Sequence, residues 1–553
     1  MKKMKYICTT LVYTLGLSLV SLAQPGEVDP QELKVPDGYM DRMSQQGTVL
    51  EMSLKEAIRL ALNNNLEIAI ENFNEDLNRE QIVGALGFYD PTLSFTVGLN
   101  DRSSPTTSSL DAGGGVSVSN SNSFQFSTTL NQNVTGGGAL RMTFGNFKST
   151  TNSAFSFINP RFNSNFDVLF TQPLWRGFRK TNTKRQIKIF NLDTLISDTQ
   201  FEQRVASVVQ RVLNQYWELV FAVENYETQR KSMELAIIQY TNNRKRVEIG
   251  VMAPIEITSS EAEVASREQG LIQSEVQIIN AQNALKRLLA PDPQASIWDI
   301  TIDPMDRPDL RQIDLTMQEA IQQSLTKRPE LERIRLQVEQ NEINRDFFKR
   351  DGKPTVNLRA NFGSVGASGN VAQTVFRDTD GDGIPEPVGS EPAVDDPRFG
   401  NFTTAWSQAF QFDFRAWGVF FDVVIPLKNR ANAADLATVA IRDRQLLSTM
   451  KDTQQMIMVE VRNAYETIQT REKSLAAAQL ARRLSEEQLS GENKRFEAGL
   501  STNFEVLRFQ RDLAQNQVSE LRAMIDYQLA LINLEVAMYT IIGDSDIVTA
   551  RAH

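Results

Sequence analysis

Two residue types with which proteins build reactive sites are almost missing from this sequence. Among its 553 residues there is one cysteine, Cys8, and one histidine, His553. Without others, the chain cannot form a Cys/His zinc site, a Cys–His or Ser–His–Asp nucleophile, a haem ligand set or a disulfide framework. An enzyme of this composition would depend on carboxylate, lysine, tyrosine or hydroxyl chemistry.

Long apolar runs and excess positive charge are also missing. After the first two dozen residues there is no run of 18 or more apolar residues. If the chain crosses a membrane, we therefore expect β-strands to do so. The formal net charge is -10, which argues against non-specific binding to nucleic acid because such binding needs a basic surface.

Residues 1–23 predict a secretory signal peptide. Lys2, Lys3 and Lys5 precede the largely apolar stretch 7–22, and Ala23 ends a small-x-Ala cleavage pattern. The alternative is a membrane anchor, although the run is short for a span of about 20 residues. Removing this segment takes away three lysines and no acids, which lowers the net charge to -13.

The rest of the chain is a tandem duplication. Ser-Leu-Lys-Glu-Ala-Ile at 53–58 resembles Thr-Met-Gln-Glu-Ala-Ile at 316–321, and a later block matches Tyr216 to Tyr465 and Gly250 to Gly499 at one constant offset. Several matches at fixed offsets indicate a repeat. The predicted division is an N-terminal linker 24–50, a first repeat 51–290, a linker 291–314, a second repeat 315–543 and a tail 544–553.

The sequence of each repeat predicts a short helical segment and, farther along the chain, a very long helical hairpin. Glycine and proline are absent from 178–249 and from 427–490, so long helices are predicted at 178–249 and 428–498. At 1.5 Å per residue each spans about 100 Å, and apolar residues spaced three and four apart indicate coiled-coil packing. Return helices are predicted at 254–290 and 501–542, after turns at Gly250 and Gly499.

Between these helices the apolar residues alternate as in strands. The predicted strands are 91–100, 164–174, 354–363 and 416–426, with an extra hairpin at 122–148 in the first repeat and loops at 101–121 and 149–160. Each strand has about the 9 to 11 residues that a tilted transmembrane strand needs; a soluble sandwich is the alternative. Four strands, or six with the hairpin, are fewer than the eight of the smallest membrane barrel, so several chains would have to share one.

These features resemble the TolC-like outer-membrane efflux proteins over residues 50–543. The resemblance depends on the duplicated order of elements and on local motifs, which are Tyr89-Asp-Pro-Thr-Leu93, Gln172-Pro-Leu-Trp-Arg-Gly177, Arg328-Pro-Glu-Leu331, Ile425-Pro-Leu427, Arg495-Phe-Glu-Ala-Gly-Leu500 and Glu505-Val-Leu507. It implies an α+β membrane protein in which long coiled-coil hairpins form a periplasmic tunnel. The transmembrane strands would contribute to a 12-stranded β-barrel shared by a homotrimer in the outer membrane.

The function implied is the exit duct of a tripartite efflux or type I secretion system. Small molecules or proteins would pass through it passively, driven by an inner-membrane transporter that a periplasmic adaptor connects to the duct. No cofactor and no catalysis are implied. The main alternative is a periplasmic adaptor or scaffold with helical hairpins. A porin fits less well because the helices are too long, and an enzyme with paired carboxylates fits less well because the acids are scattered along helical faces without an identifiable pair.

Two groups of site residues follow from the resemblance. Gly250, Val251, Gly499 and Leu500 match the helix-turn tips at which adaptor contact is implied, with simple helix termination as the alternative. Phe496 and Glu505 match an aromatic residue and an acidic ring at the pore entrance.

The pore-entrance match is incomplete. Arg508 stands where a second acid is implied, and Ser501 stands where an arginine is implied. A solvated helix position is the alternative reading of Glu505, because these departures remove part of the family's pattern.

An acidic loop predicts weak Ca²⁺ binding outside the cell. Asp378, Asp380, Asp382 and Glu386 alternate with other residues, and Gly383 follows at the sixth position, as in an EF-hand-type loop. The twelfth position is Gly389 rather than glutamate, so an unliganded acidic turn is the alternative.

Overall fold

The computed structural model describes residues 34–47, 49–107, 117–153, 156–308, 310–311, 313–377 and 386–541. The predicted signal peptide 1–23 and the tail 544–553 lie outside these residues. Within them the predicted α+β fold with long helical hairpins is confirmed. No helix in the described ranges has both the length and the apolar character required to cross a membrane.

The elements alternate between short helices, a sheet and long helices, twice along the chain. The helices are α1 (Tyr39–Gln46), α2 (Leu54–Asn64), α3 (Leu66–Leu86), α4 (Asn182–Glu248), α5 (Ile255–Leu289), α6 (Met317–Lys327), α7 (Pro329–Asp351), α8 (Phe402–Gln411), α9 (Arg430–Glu497) and α10 (Asn503–Met538). The strands are β1 (Val49–Met52), β2 (Thr92–Pro105), β3 (Val118–Asn133), β4 (Ala139–Thr151), β5 (Ile158–Pro173), β6 (Thr301–Pro304), β7 (Thr355–Arg377), β8 (Glu386–Pro392) and β9 (Phe414–Val424).

The duplicated hexapeptides start a helix in the same way in both repeats. Ser53 caps α2 and Thr316 caps α6, each in a reciprocal capping box with the glutamate three residues later. Both helices are short, and a second helix begins within two residues. Pro329 occupies the first turn of α7, where the missing N–H has no partner to lose.

The helix α4 forms the centre of the helical part. Val208, Val212, Tyr216 and Leu219 are fully buried along it, in a core that also takes side chains from α2, α3, α5 and α10. The helix α9 forms a second, smaller core with α6, α7 and α10. The two long helices therefore lie in different surroundings although their lengths are nearly equal.

The segments predicted as linkers have their own structure, which corrects that prediction. Residues 24–50 include α1 and the start of β1, and 291–314 include β6, which pairs in parallel with β1. The Tyr216 hydroxyl lies 2.7 Å from Asp306 Oδ2 and 3.0 Å from the Met52 carbonyl oxygen. The Tyr216 hydroxyl thus fixes the paired strands β1 and β6 to α4 through Met52 and Asp306, an arrangement that short sequences without periodicity do not indicate.

One antiparallel sheet joins strands from both repeats in the order β2-β3-β4-β5-β7-β9, with β8 paired to the far part of β7. The strands extend beyond the predicted bounds, into 101–105, 118–121, 149–151 and 158–160. These residues were predicted as loops because they are rich in Ser, Thr and Asn. The ladder hydrogen bonds to neighbouring strands outweigh that composition, since β propensity depends strongly on context.

The sheet has one apolar and one polar face. Directly paired residues share a face, and one row on the apolar face consists of Leu93, Leu130, Met142, Val168, Phe362 and Trp417. The next row, on the opposite face, consists of Ser94, Thr129, Thr143, Asp167, Gly363 and Ala416. The alternation is that of a sheet between an apolar and an aqueous medium.

The short helix α8 was not predicted and lies on the apolar face. Trp406 contacts the rings of Phe126 and Phe144, and its Nε1 donates to Asn146 Oδ1. The helix approaches β7 so closely that a Cβ atom at Gly366 would lie 1.9 Å from the carbonyl oxygen of Ala405. Glycine is therefore required at 366 for this packing.

Candidate functional site at the helical tips

Both long helices end in the same turn. At the end of α4, the Val251 N–H donates to the Arg246 carbonyl and the Gly250 N–H donates to the Val247 carbonyl. This double hydrogen bond is the Schellman motif. Gly250 has φ of 80° with open space around the position of a Cβ atom, so backbone conformation alone requires glycine there.

The second tip repeats this geometry. The Leu500 N–H donates to the Arg495 carbonyl, the Gly499 N–H donates to the Phe496 carbonyl, and Gly499 has φ of 72°. After each turn Val251 and Leu500 expose apolar side chains, at 70% and 72% of their surface. The four residues predicted as adaptor contacts thus form two matching, protruding turns.

The predicted pore-entrance residues lie beside the second turn. Phe496 is partly buried, and the Arg246 guanidinium of the first hairpin lies 4.6 Å from its ring centroid, a cation–π contact between the hairpins. Glu505 lies in the first turn of α10, where its N–H donates to Thr502 Oγ1. Its carboxylate lies 2.9 Å from Arg508 Nη2, so the arginine that departs from the family pattern pairs with the predicted ring acid.

Ser501, the other departure, pairs with a buried acid. Its Oγ donates to Glu492 Oε1, and Glu492 Oε2 accepts from Arg495 at 3.1 Å. The second tip is therefore stabilised within its own hairpin, by a carboxylate with two donors.

A buried polar network that we did not predict joins the two hairpins just behind the tips. Asn503 at the start of α10 is only 2% exposed. Its Oδ1 accepts from Asn243 Nδ2 at 2.7 Å and from Gln239 Nε2 at 3.0 Å, and its Nδ2 donates to Glu256 Oε2 at 3.0 Å. Asn243 also donates to Ser260 Oγ at 2.7 Å. The network fixes the second hairpin against the first.

The repeat contains a signal for this network. Asn243 and Glu492 occupy equivalent positions, seven residues before the tip glycines, and both are buried. Polar residues at core positions of a helical hairpin commonly specify pairing. The partner Asn503 had no such signal, because its equivalent in the first repeat is Pro254.

The calcium prediction lies mostly outside the described residues. Asp378, Asp380 and Asp382 belong to the undescribed segment, and only the backbone of Glu386 is described, at the start of β8. Among the described residues no group of three or more His, Cys, Asp or Glu side chains is placed to hold a metal ion. Calcium binding at this loop stays a prediction.

Long helical hairpins and a two-faced sheet together make up the described part of the chain. Over residues 320–538 the chain matches the outer membrane efflux protein family. The predicted resemblance to TolC-like proteins and the predicted location, the outer membrane with a periplasmic helical part, are confirmed by this match. A comparison with curated proteins gives no match.

Solved structures share the fold over most of the chain. The CmeC outer membrane channel of Campylobacter jejuni has a TM-score of 0.59 at 14% identity, covering 88% of this chain and 85% of that one. The VceC outer membrane protein of Vibrio cholerae has a TM-score of 0.56 at 13% identity, covering 88% and 95%. The MtrE outer membrane channel of Neisseria gonorrhoeae, in its open state, has a TM-score of 0.55 at 15% identity, covering 88% of both chains.

Proposed function

We propose that this chain is the outer-membrane exit duct of a tripartite efflux or type I secretion system and acts as a homotrimer. Its role is passive, since an inner-membrane transporter supplies the energy, and the duct performs no catalysis. The observation that carries the proposal is that one two-faced sheet has an open edge at each end, and each edge strand adjoins a helix with exposed apolar residues.

The two open edges suit a second copy of the chain. In the described residues β2 pairs only with β3, and β9 pairs only with β7. Along the path from β2 to β9 the strands alternate in direction, so the edges run antiparallel to each other. The β9 strand of one copy can therefore pair with β2 of the next and continue the antiparallel pattern until the ring closes.

The helices beside the edges support the same contact. On α3, directly before β2, Leu66, Ile70, Phe73 and Leu77 follow coiled-coil spacing, and each is more than half exposed. On α9, shortly after β9, Ile441, Met456 and Val459 are also more than half exposed. Packing α3 of one copy against α9 of the next covers both sets, and it extends the strand pairing into the helical part.

The tips suit the adaptor. Val251 and Leu500 protrude at the end farthest from the sheet along helices of about 100 Å. Apolar side chains on rigid turns favour docking of another helical hairpin. Glu505, paired with Arg508, lies on α10 close to the second tip, where three copies around the trimer axis would place three such pairs at the entrance.

A charge placed in the α3 seam, the row formed by Leu66, Ile70, Phe73 and Leu77, tests the assembly. Phe73→Asp places a charge in the proposed contact, so the purified protein in detergent is expected to change from trimer to monomer by light scattering and to lose conductance in planar bilayers. Asn72→Asp, on the same helix outside the seam, is the control and is expected to stay trimeric and conducting. A wild-type protein that is monomeric, or trimeric without conductance, would contradict the proposed duct.

A further inference from the structure

We propose that the barrel of the assembled channel contains eighteen strands, six from each chain, instead of the twelve implied by the family resemblance. This inference depends on the proposed homotrimer. It extends that proposal because it gives the wall of the duct a different composition and width.

The first argument is the position of the extra hairpin. β2 pairs with β3 from Thr92↔Asn131 to Pro105↔Val118, and β5 pairs with β4 from Thr171↔Ala139 to Arg161↔Ser149. β3 and β4 pair with each other along their length. The hairpin is therefore inserted between β2 and β5, which would be neighbours in a four-stranded protomer. It is part of the wall and not a flap above it.

The second argument is that the hairpin has the same two faces as the other strands. On β3, Phe126 and Leu130 share the apolar face with Val97 and Leu93 of β2. On the other face Ser127 and Thr129 pair with Thr96 and Ser94. Strands that lay outside a barrel wall would have no reason to repeat this alternation in register with it.

The third argument is the slope of the apolar belt, by which we mean the band of apolar side chains that crosses the apolar face of the sheet from β2 to β9. On β2 the apolar residues run from Leu93 to Leu99, away from the helices, and on β9 they run from Trp417 to Val423, toward the helices. Leu93 and Trp417 stand in one paired row. The centre of the belt therefore shifts by about six residues, or about 20 Å, over five strand spacings of about 4.8 Å.

This slope corresponds to strands inclined by about 40° to the membrane normal, within the 35–45° of membrane barrels. The belt stays level in the membrane only if all six strands, hairpin included, stand side by side in the wall. On β7 the belt ends at Phe362, and α8 covers Ser364, Gly366 and Ser368 beyond it. The helix α8 thus covers the belt on β3 and β4, where Trp406 contacts Phe126 and Phe144, and leaves the apolar residues of β2 and β9 exposed for lipid.

Strand number fixes the width of the duct. With the same spacing and inclination, eighteen strands give a barrel about 36 Å in diameter between backbones, against about 24 Å for twelve. A barrel of sixteen to eighteen strands leaves a wide aqueous lumen.

Engineered disulfides distinguish the two strand counts. The only native cysteine is Cys8, within the predicted signal peptide, so the background is clean. Thr96 pairs directly with Ser127, whereas Asn165 lies three strands away in the same row, about 14 Å from Thr96 and too far for a disulfide. In the oxidised trimer, Thr96→Cys with Ser127→Cys is expected to form an intrachain disulfide, and Thr96→Cys with Asn165→Cys is not.

Electron microscopy of the same protein in nanodiscs gives the second readout, a barrel about 36 Å wide. A conducting trimer about 24 Å wide that forms the 96–165 disulfide would overturn the eighteen-strand barrel and leave the proposed function intact. A protein that forms no trimer would overturn both.

Discussion

The two long helices have nearly the same length, 67 residues in α4 and 68 in α9, but different surroundings. α4 is covered by α2, α3, α5, α7 and α10, and its core includes the rings of Tyr216, Trp217 and Tyr226. α9 packs against α6, α7 and α10 and leaves Ile441, Met456 and Val459 exposed. The two repeats thus contain an interior helix, α4, and a boundary helix, α9. In the proposed trimer, α9 contacts the next copy of the chain.

A buried and an exposed valine test this contrast with the largest expected effect. Val212 on α4 is fully buried, and Val459 on α9 is 55% exposed. Val212→Asp buries an unpaired charge and is expected to destabilise the chain by about 4 kcal/mol or more. Val459→Asp is expected to change the stability of the single chain little but to weaken the trimer.

Thermal unfolding by circular dichroism and mass by light scattering separate the two effects. A trimer that withstands Val459→Asp would show that α9 is not at the contact between copies. A chain that retains its melting temperature with Val212→Asp would show that the α4 core is not closed.

The two tips show a similar contrast between contact with the rest of the chain and independence of it. The first tip is joined to the other hairpin through Asn503, whereas the second is stabilised within its own hairpin through Glu492. Asn503→Ala leaves the buried amides of Gln239 and Asn243 without their shared acceptor, at a cost of about 1–3 kcal/mol. Hydrogen exchange is expected to rise on both sides of the first tip. Asn493→Ala, at a partly exposed position of α9, is the control, and equal exchange in both variants would contradict a joining role.

Sequence patterns gave the hairpins, the repeat, the tip glycines and the two-faced strands, because helix periodicity, strand alternation and helix stop signals are local. They did not give the partners of these elements. Asn503 and Asn243 are far apart in sequence, and the insertion of the hairpin between β2 and β5 depends on pairing across both repeats. Nor did they give α8, whose packing depends on the absence of a side chain at Gly366.

Two glycines near the second tip give opposite effects from the same substitution. Gly499 has a positive φ, so Gly499→Ala is expected to destabilise the turn by about 1–2 kcal/mol. Gly491, within α9, has open space for a Cβ atom and no positive φ, so Gly491→Ala is expected to stabilise by about 0.5–1 kcal/mol. Denaturant unfolding measures both, and effects of the same sign would contradict the turn geometry.

A glutamate that both repeats share provides a smaller, pH-dependent contrast. Glu67 accepts two hydrogen bonds from Arg211, which lower the pKa of its carboxyl below the ordinary 4.5, whereas its equivalent Glu330 pairs with Arg328, two residues earlier in the chain. A carboxyl whose pKa is lower in the folded chain than in the unfolded chain stabilises the fold above pH 4.5. This stabilisation is lost as the pH falls through the pKa of the folded chain. Since the Glu67 side chain is 40% exposed, we expect about 0.5 kcal/mol.

Glu67→Gln is therefore expected to lower the melting temperature slightly at pH 7, and to lower it less as the pH falls below 4.5. A difference from wild type that stays constant across this range would show that the ion pair contributes no pH dependence.

The smallest expected effect concerns the charges at the tips. Glu505 and Glu256 are equivalent in the two repeats, but Glu505 pairs with Arg508 whereas Glu256 accepts from the buried Asn503. If three Glu505 carboxylates surround the entrance, Glu505→Gln reduces the preference for cations in single-channel recordings. The change is expected to be only about twofold, because Arg508 already compensates part of the charge. Glu256→Gln removes the same charge from the first tip and is expected to leave selectivity unchanged. Equal selectivity in wild type and Glu505→Gln would place Glu505 on a solvated helix surface, away from the conduction path.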